Sequence, residues 1–188
     1  ASLSEALCQL ATRHPERLEA TLSGAIQVPT PEEVKREVEL ATKKAISEGA
    51  RDWTGFANLL RRLKSRFILP LGFANLCGLA VGEFVAQTLT ALADAIVESA
   101  IECQTSLAKI EGLRLAALAL GGWGSRELHF GSDLDISFAH EGDQIATEEF
   151  VRNLRSLLGD LTEEGVAYRL DLRLRPTGQE GALSSDLK

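Results

Sequence analysis

Apolar residues recur at helical spacing through the first 112 positions, and after Gly112 the pattern turns to short runs and strict alternation. Ser2-Leu3-Ser4-Glu5 reads as a capping box opening a short helix through Leu10. Pro15 suits the first position of a second helix, which Gly24 closes. Thr30-Pro31-Glu32-Glu33 joins a cap, a leading proline and a returning glutamate, and predicts a third helix that ends near Gly49. Val34, Val38, Ala41 and Ala45 form its buried stripe. From Asp52 a fourth helix aligns Trp53, Phe56, Leu59, Leu60, Leu63 and Phe67. Arg61, Arg62, Lys64 and Arg66 fall on its other faces, solvated or turned to an anionic partner, and Pro70 is expected to kink or end it. A short piece to Gly78 follows, then a long helix over 81–110 whose buried stripe runs through Phe84, Val85, Leu89, Leu92, Ile96 and Cys103.

Residues 113–120 are apolar except Arg114, which predicts a central strand buried on both faces and ending at glycines. A short turn or helix leads to Gly131-Ser132, which opens a second strand. Along that strand Asp133 and Asp135 share one face, while Leu134, Ile136 and Phe138 share the other. Neighbouring carboxylates repel unless a cation lies between them, and a hard divalent ion such as Mg²⁺ accepts oxygen ligands of this kind. Gly131 and Ser132 offer backbone N–H groups and a hydroxyl to a phosphate. Asp143 or Thr147 caps a helix to about Leu158 that buries Phe150, Val151, Leu154, Leu157 and Leu158. Residues 166–175 then alternate as a third strand. Val166, Tyr168, Leu170, Leu172 and Leu174 face the core; Arg169, Asp171, Arg173 and Arg175 face the other way. Paired with the second strand, it sets Asp171 beside Asp133 and Asp135, with guanidinium groups suited to phosphate oxygens. The expectation is an α+β fold: a helical region over 1–112 packed on a small mixed sheet over 113–188, which carries the site.

Composition narrows the function without naming it. With 27 acidic against 20 basic residues, the net charge of −7 argues against a nucleic-acid duplex as partner. The three cysteines, Cys8, Cys77 and Cys103, are far apart and read as reduced core thiols of a cytoplasmic protein. His14, His129 and His140 lack zinc spacing and are expected at the surface or as caps. No apolar run is read as membrane-spanning, and no signal-peptide pattern is seen at the start.

Gly131-Ser132-Asp133-Leu134-Asp135 after a glycine-rich strand end, with a third Asp on a later strand, resembles the nucleotidyltransferase superfamily of the DNA polymerase β type. More narrowly, Arg126-Glu127-Leu128 before that motif, and Asp171-Leu172-Arg173-Leu174-Arg175-Pro176-Thr177-Gly178 with Gly181 following, resemble one half of the bifunctional glutamine synthetase adenylyltransferase/adenylyl-removing enzymes. Two departures stand out: Gly122 takes the place of a lysine usual there, and Ser125 that of a glycine. Gly121-Gly122-Trp123-Gly124 is closer to the uridylyltransferases acting on PII-type signal proteins. The resemblance implies Mg²⁺-dependent nucleotidyl transfer, with two ions on Asp133, Asp135 and Asp171, and ATP or ADP and phosphate as substrates. It also implies that Gly131 and Ser132 contact phosphate, to which strand geometry adds Arg173 and Arg175. The implied protein substrate is a tyrosine of glutamine synthetase, with removal of AMP slightly favoured over its attachment and a PII-type protein as possible regulator. It suggests a core truncated at its C-terminal end. Two alternatives stay open: a uridylyltransferase-like enzyme, and a nucleotide-sensing or docking module without turnover. Glu127 is read as ordering its turn rather than as catalytic.

Overall fold

The computed structural model describes residues 3–24, 26–49, 53–108, 114–173 and 183–186. Five helices come first: α1 (Leu3–Arg13), α2 (Pro15–Leu22), α3 (Pro31–Ser47), α4 (Trp53–Leu76) and α5 (Gly82–Ala108). Then come β1 (Arg114–Ala119), the one-turn helix α6 (Gly121–Gly124), β2 (Leu134–Glu141), α7 (Gln144–Gly159), β3 (Leu170–Asp171) and β4 (Ser185–Asp186). Helices followed by a small mixed sheet make this an α+β fold, as the change of period at Gly112 implies.

Local chemistry explains the ends. Thr30 Oγ1 accepts from Glu33 N–H and the Glu33 carboxylate accepts from Thr30 N–H, so the capping box at α3 is closed. Asp143 caps α7 by accepting from Ala146 N–H at 2.7 Å. The cap expected at Ser2 lies outside the described residues, and α1 continues past Leu10 to Arg13. Pro70 does not end α4, which runs on to Leu76. A proline inside a helix costs about 3 kcal/mol. Burial of Phe67, Ile68, Leu69 and Leu71 around it, worth about 1.5–3 kcal/mol each, outweighs that loss.

The sheet is built on β2. On one edge β1 pairs antiparallel, from Arg114 opposite Glu141 to Ala119 opposite Ile136. On the other edge β3 and β4 pair parallel, at Leu134–Asp135 and Ala139–His140 respectively. The expected double burial of the first strand is wrong: β1 is the outer strand, and only Leu115 within it is half-buried. Alanine-rich strands give little area to bury, so an apolar run there does not require a central place. The third strand is also shorter than expected. Ala167 and Tyr168 N–H both donate to Leu158 O at the end of α7, so only Leu170 and Asp171 remain to pair with β2. Leu174 and Arg175 lie outside the described residues.

α5 packs against α3, α4 and α7. Contrary to expectation it is long and apolar enough, by length and composition alone, to cross a membrane; 67% of that stretch is buried in the protein, as in a core helix. Of the cysteines only Cys103 is buried; Cys8, on α1, and Cys77, in the turn after α4, are exposed. His129 is exposed and His14 takes the N-cap position of α2, though without a side-chain cap hydrogen bond and buried between Glu16 and Glu164; His140 is buried inside the central strand β2.

Arg61 overturns the reading of its helix face as solvated. It is 2% exposed, and its guanidinium donates to Gly165 O at 2.7 Å, Ala57 O at 2.8 Å and Leu157 O at 2.9 Å, with Leu158 O and Asp160 O also accepting. Four of these carbonyls belong to the end of α7 and the loop after it. Gly165, at φ +96°, supplies a conformation that few side chains tolerate at that turn. Around this cap Glu164 takes Arg17 at 2.9 Å and Arg62 at 3.4 Å, and Asn58 Nδ2 donates to Glu163 at 3.0 Å. Replacing Arg61 by Met strands several buried carbonyls, and urea denaturation is expected to register a loss of about 3 kcal/mol or more. The exposed neighbour gives the contrast, since Arg62→Met should cost less than about 1 kcal/mol. A small loss at Arg61 would remove the cap from its joining role.

Candidate functional site

Leu134, Ile136 and Phe138 are buried under the helices, which turns the alternate residues of β2 outward: Asp133 is exposed and Asp135 half-buried. Asp171 on β3 stands directly opposite Asp135 in the parallel register. Alternation persists on that segment, with Tyr168, Leu170 and Leu172 buried and Arg169 and Arg173 exposed. Asp171 therefore stands beside Asp135, at the end of β2 that Asp133 precedes. Arg175, expected beside them, lies outside the described residues.

Their present partners differ from the expected ones. Arg173 folds back on Asp171: its N–H donates to Oδ1 at 2.9 Å and its Nε–H to Oδ2 at 2.8 Å, with Nη2 in the same bidentate grip. These hydrogen bonds hold the Asp171 carboxyl below the usual carboxylate range. In return, the hydrogen bonds to Asp171 and then the charges of Asp135 and Asp133 raise the Arg173 pKa. A set of three carboxylates has the chemistry a hard divalent cation requires. With Asp171 turned onto Arg173, however, no three Asp, Glu, His or Cys side chains among the described residues stand close enough to hold an ion together.

The turn before β2 is anchored from the helical region. Trp123, buried in α6, donates its indole N–H to Asp94 of α5 at 2.8 Å, and Lys35 of α3 lies 3.9 Å from the same carboxylate. Gly121, at φ +52°, touches Asp135 so closely that a Cβ there would overlap its Oδ2 atom. Arg126 holds a left-handed φ of 63°, a strained conformation of the kind that collects at functional sites. Glu127 accepts from Ser125 Oγ at 2.9 Å and its N–H donates to Gly122 O at 2.7 Å, so it orders the turn. Gly131 and Ser132 are half-buried at the mouth of β2. Ser132 N–H donates to His129 O and Ser132 Oγ accepts from His129 N–H, both at 3.0 Å. Of the groups expected to face a phosphate, Ser132 thus keeps only its hydroxyl proton.

Two cavities flank Asp133. One of about 620 Å³ is walled by Asp133, Asp171, Arg152, Arg155, Arg169 and Arg173. The other, about 460 Å³, holds Gly131, Ser132, Lys64 and Tyr168, and shares Asp133 and Arg169 with the first. Arg152 and Arg155 are additions that pattern alone did not single out; Lys64 comes from the basic run of α4 that pattern left either solvated or turned to an anionic partner. The three-residue spacing of Arg152 and Arg155 sets both on the polar side of α7, but nothing local says that this side borders the acids. Among the described residues Arg152 pairs with Glu148 at 2.7 Å, whereas Arg155 and Arg169 have no carboxylate partner. Uncompensated guanidinium groups converging on an acidic cluster suit a ligand that carries phosphate and brings a cation.

Removing the Arg173 side chain tests this electrostatic picture. In Arg173→Ala the Asp171 carboxyl is expected to titrate at higher pH than in the wild type, followed by the side-chain carbon resonance in NMR. The sign follows from a lowered pKa: the stabilisation is present above about pH 4 and fades as the pH falls through the folded-state value. An unchanged titration would place the pair apart in solution.

Comparison with known proteins bears on the whole chain. The family model described as glutamate-ammonia ligase adenylyltransferase matches residues 1–188. A protein of Brucella suis biovar 1 (strain 1330) is 29% identical over 206 aligned residues, covering 100% of this chain and 21% of its own length. One of Nitrosomonas europaea is 31% identical, covering 86% of this chain and 20% of its own. One of Burkholderia mallei is 33% identical, covering 93% and 19%. All three are named bifunctional glutamine synthetase adenylyltransferase/adenylyl-removing enzyme, and this chain spans about a fifth of their length. With this chain matched over residues 1–188, and the paired acids, the third acid and the helical region before them all inside the match, the chain belongs to the glutamate-ammonia ligase adenylyltransferase family.

Proposed function

We propose that this chain carries a nucleotidyl-transfer site that removes AMP from, or attaches it to, a tyrosine of glutamine synthetase. The observation that carries the reading is the register of Asp171 opposite Asp135, two residues on from Asp133 at the mouth of β2. The names of the relatives supply the protein substrate and both directions of reaction. The family match favours adenylyl over uridylyl chemistry. Removal of AMP is the preferred direction, from the likeness of the helices before the site to those of the adenylyl-removing half.

Asp133, Asp135 and Asp171 would hold Mg²⁺, two ions in this reading, once Asp171 turns from Arg173. Such ions, when bound, lower the pKa of an attacking oxygen and stabilise a leaving one. The chain's own groups do the rest. Arg155, Arg169 and Arg173 neutralise the phosphoryl oxygens, and Gly131 and Ser132 shape the entry to β2. The α6 turn, held by Trp123 on Asp94, sets Asp135 against Gly121 and fixes its direction. ATP, or ADP and phosphate, are the small substrates, and a PII-type protein is the regulator in this reading. A cytoplasmic setting agrees with the free thiols of Cys8, Cys77 and Cys103. The closed Asp171–Arg173 pair favours a second reading, a nucleotide-sensing module without turnover.

Asp171→Asn separates the two. Turnover is expected to fall by about a hundredfold or more while the fold is kept, because the loss is felt mainly in the transition state. The assay is the intact protein with adenylylated or unmodified glutamine synthetase, Mg²⁺ and labelled phosphate or ATP. Release of ADP identifies removal, and release of pyrophosphate identifies attachment. No turnover by the intact wild type in either direction would leave the module reading, whereas Asp171→Asn turning over like an active wild type would take Asp171 out of the reacting site.

A further inference from the structure

Lys64 is set apart by its surroundings. It lies on α4 between the buried residues Leu63 and Ser65. Its ammonium donates to Ala167 O and sits 4.0 Å above the centroid of the Tyr168 ring. Among the described residues no carboxylate pairs with it, whereas Lys35, Lys43 and Lys44 each have one. A carbonyl and a ring face compensate a half-buried charge only in part. Burial, followed by the charge of Arg61, pulls its pKa down to about 8, against the opposing charge of Asp133. Lys64 lines the cavity of about 460 Å³ together with Gly131, Ser132, Asp133 and Arg169, and Glu164, which is tied to Arg17 and Arg62, lies in the same wall.

We infer that Lys64 binds phosphate at this site, its ammonium and the Arg169 guanidinium facing a phosphate group lodged against Gly131 and Ser132. The Ser132 hydroxyl contributes a hydrogen bond, since its oxygen already accepts from His129 and its proton is left for an acceptor. Asp133 borders the same cavity, so a phosphate held there lies beside the acid pair. The helical region then takes part in binding, beyond its place as a support. The inference rests on the nucleotidyl-transfer reading and names a residue for its phosphate. That phosphate belongs either to a nucleotide or to free inorganic phosphate.

The test is calorimetry on the intact protein with ADP, inorganic phosphate and adenosine as separate probes. In Lys64→Met the affinity for ADP is expected to fall about tenfold or more, as for a lost charge-assisted hydrogen bond, with adenosine unchanged and Lys64→Arg recovering most of the loss. An equal fall for inorganic phosphate assigns the seat to both sources; a fall for ADP alone assigns it to the nucleotide. ADP and phosphate binding unchanged in Lys64→Met overturns the assignment, as does an equal loss for adenosine, which marks a structural tether to Ala167. Should Lys64→Met fail to fold, acetylation of Lys64 in the wild type, read by mass spectrometry, decides: protection by ADP supports the assignment and its absence at saturation overturns it. Wild type that binds neither ADP nor phosphate removes the assignment and the broader reading together. Asp171→Asn losing turnover while Lys64→Met binds normally removes the assignment alone.

Discussion

The joint between the helices and the sheet depends on one buried guanidinium. The last carbonyls of a helix have no partner within it, and at α7 they point into the protein, where water cannot serve them. Arg61 reaches across from α4 and donates to Leu157, Leu158, Asp160 and Gly165. A positive group there also meets the negative end of the helix dipole. No carboxylate is needed, because the partial charges of several carbonyls together replace the hydration that the guanidinium loses. Everything downstream inherits this anchor: it fixes the loop at 160–165, which leads into Tyr168 and then into the register that sets Asp171 opposite Asp135.

What was legible in the sequence were features that residues a few positions apart decide among themselves. The capping box at Thr30, the cap at Asp143 and the alternation from Asp133 to Phe138 are of this kind, and each formed as written. The register of Asp171 opposite Asp135 was legible too, because two half-buried strands with matching faces have few ways to pair. What was not legible depended on distant partners. Nothing within α4 distinguishes Arg61 from Arg62, yet one is buried under α7 and the other is exposed. Pro70 looked like a stop because its local cost is plain, while the packing that outweighs it comes from other helices. The strand after Gly112 looked central because apolar character is local, whereas its place at the rim is a property of the sheet.

The site has the same division. The acids are set by strand alternation, but the positive charge around them comes from α4, α7 and the residues flanking β3, which approach from different parts of the chain. The overall acidity of the protein is therefore a poor guide to this corner. The chain as a whole carries a net charge of −7, while Lys64, Arg155, Arg169 and Arg173 line the two cavities beside Asp133. Local field, rather than total charge, governs which ligand is drawn in.

The closed pair of Asp171 and Arg173 has a consequence in thermodynamic linkage. Each group occupies the other's natural ligand position: the carboxylate sits where an anion's oxygen would meet the guanidinium, and the guanidinium sits where a cation would meet the carboxylate. Opening the pair costs the same free energy whichever ligand arrives first. The first arrival bears that cost and the second does not, so cation and anion raise each other's affinity by one common factor. A site built this way responds to both concentrations together, and holds either ligand more weakly when it comes alone.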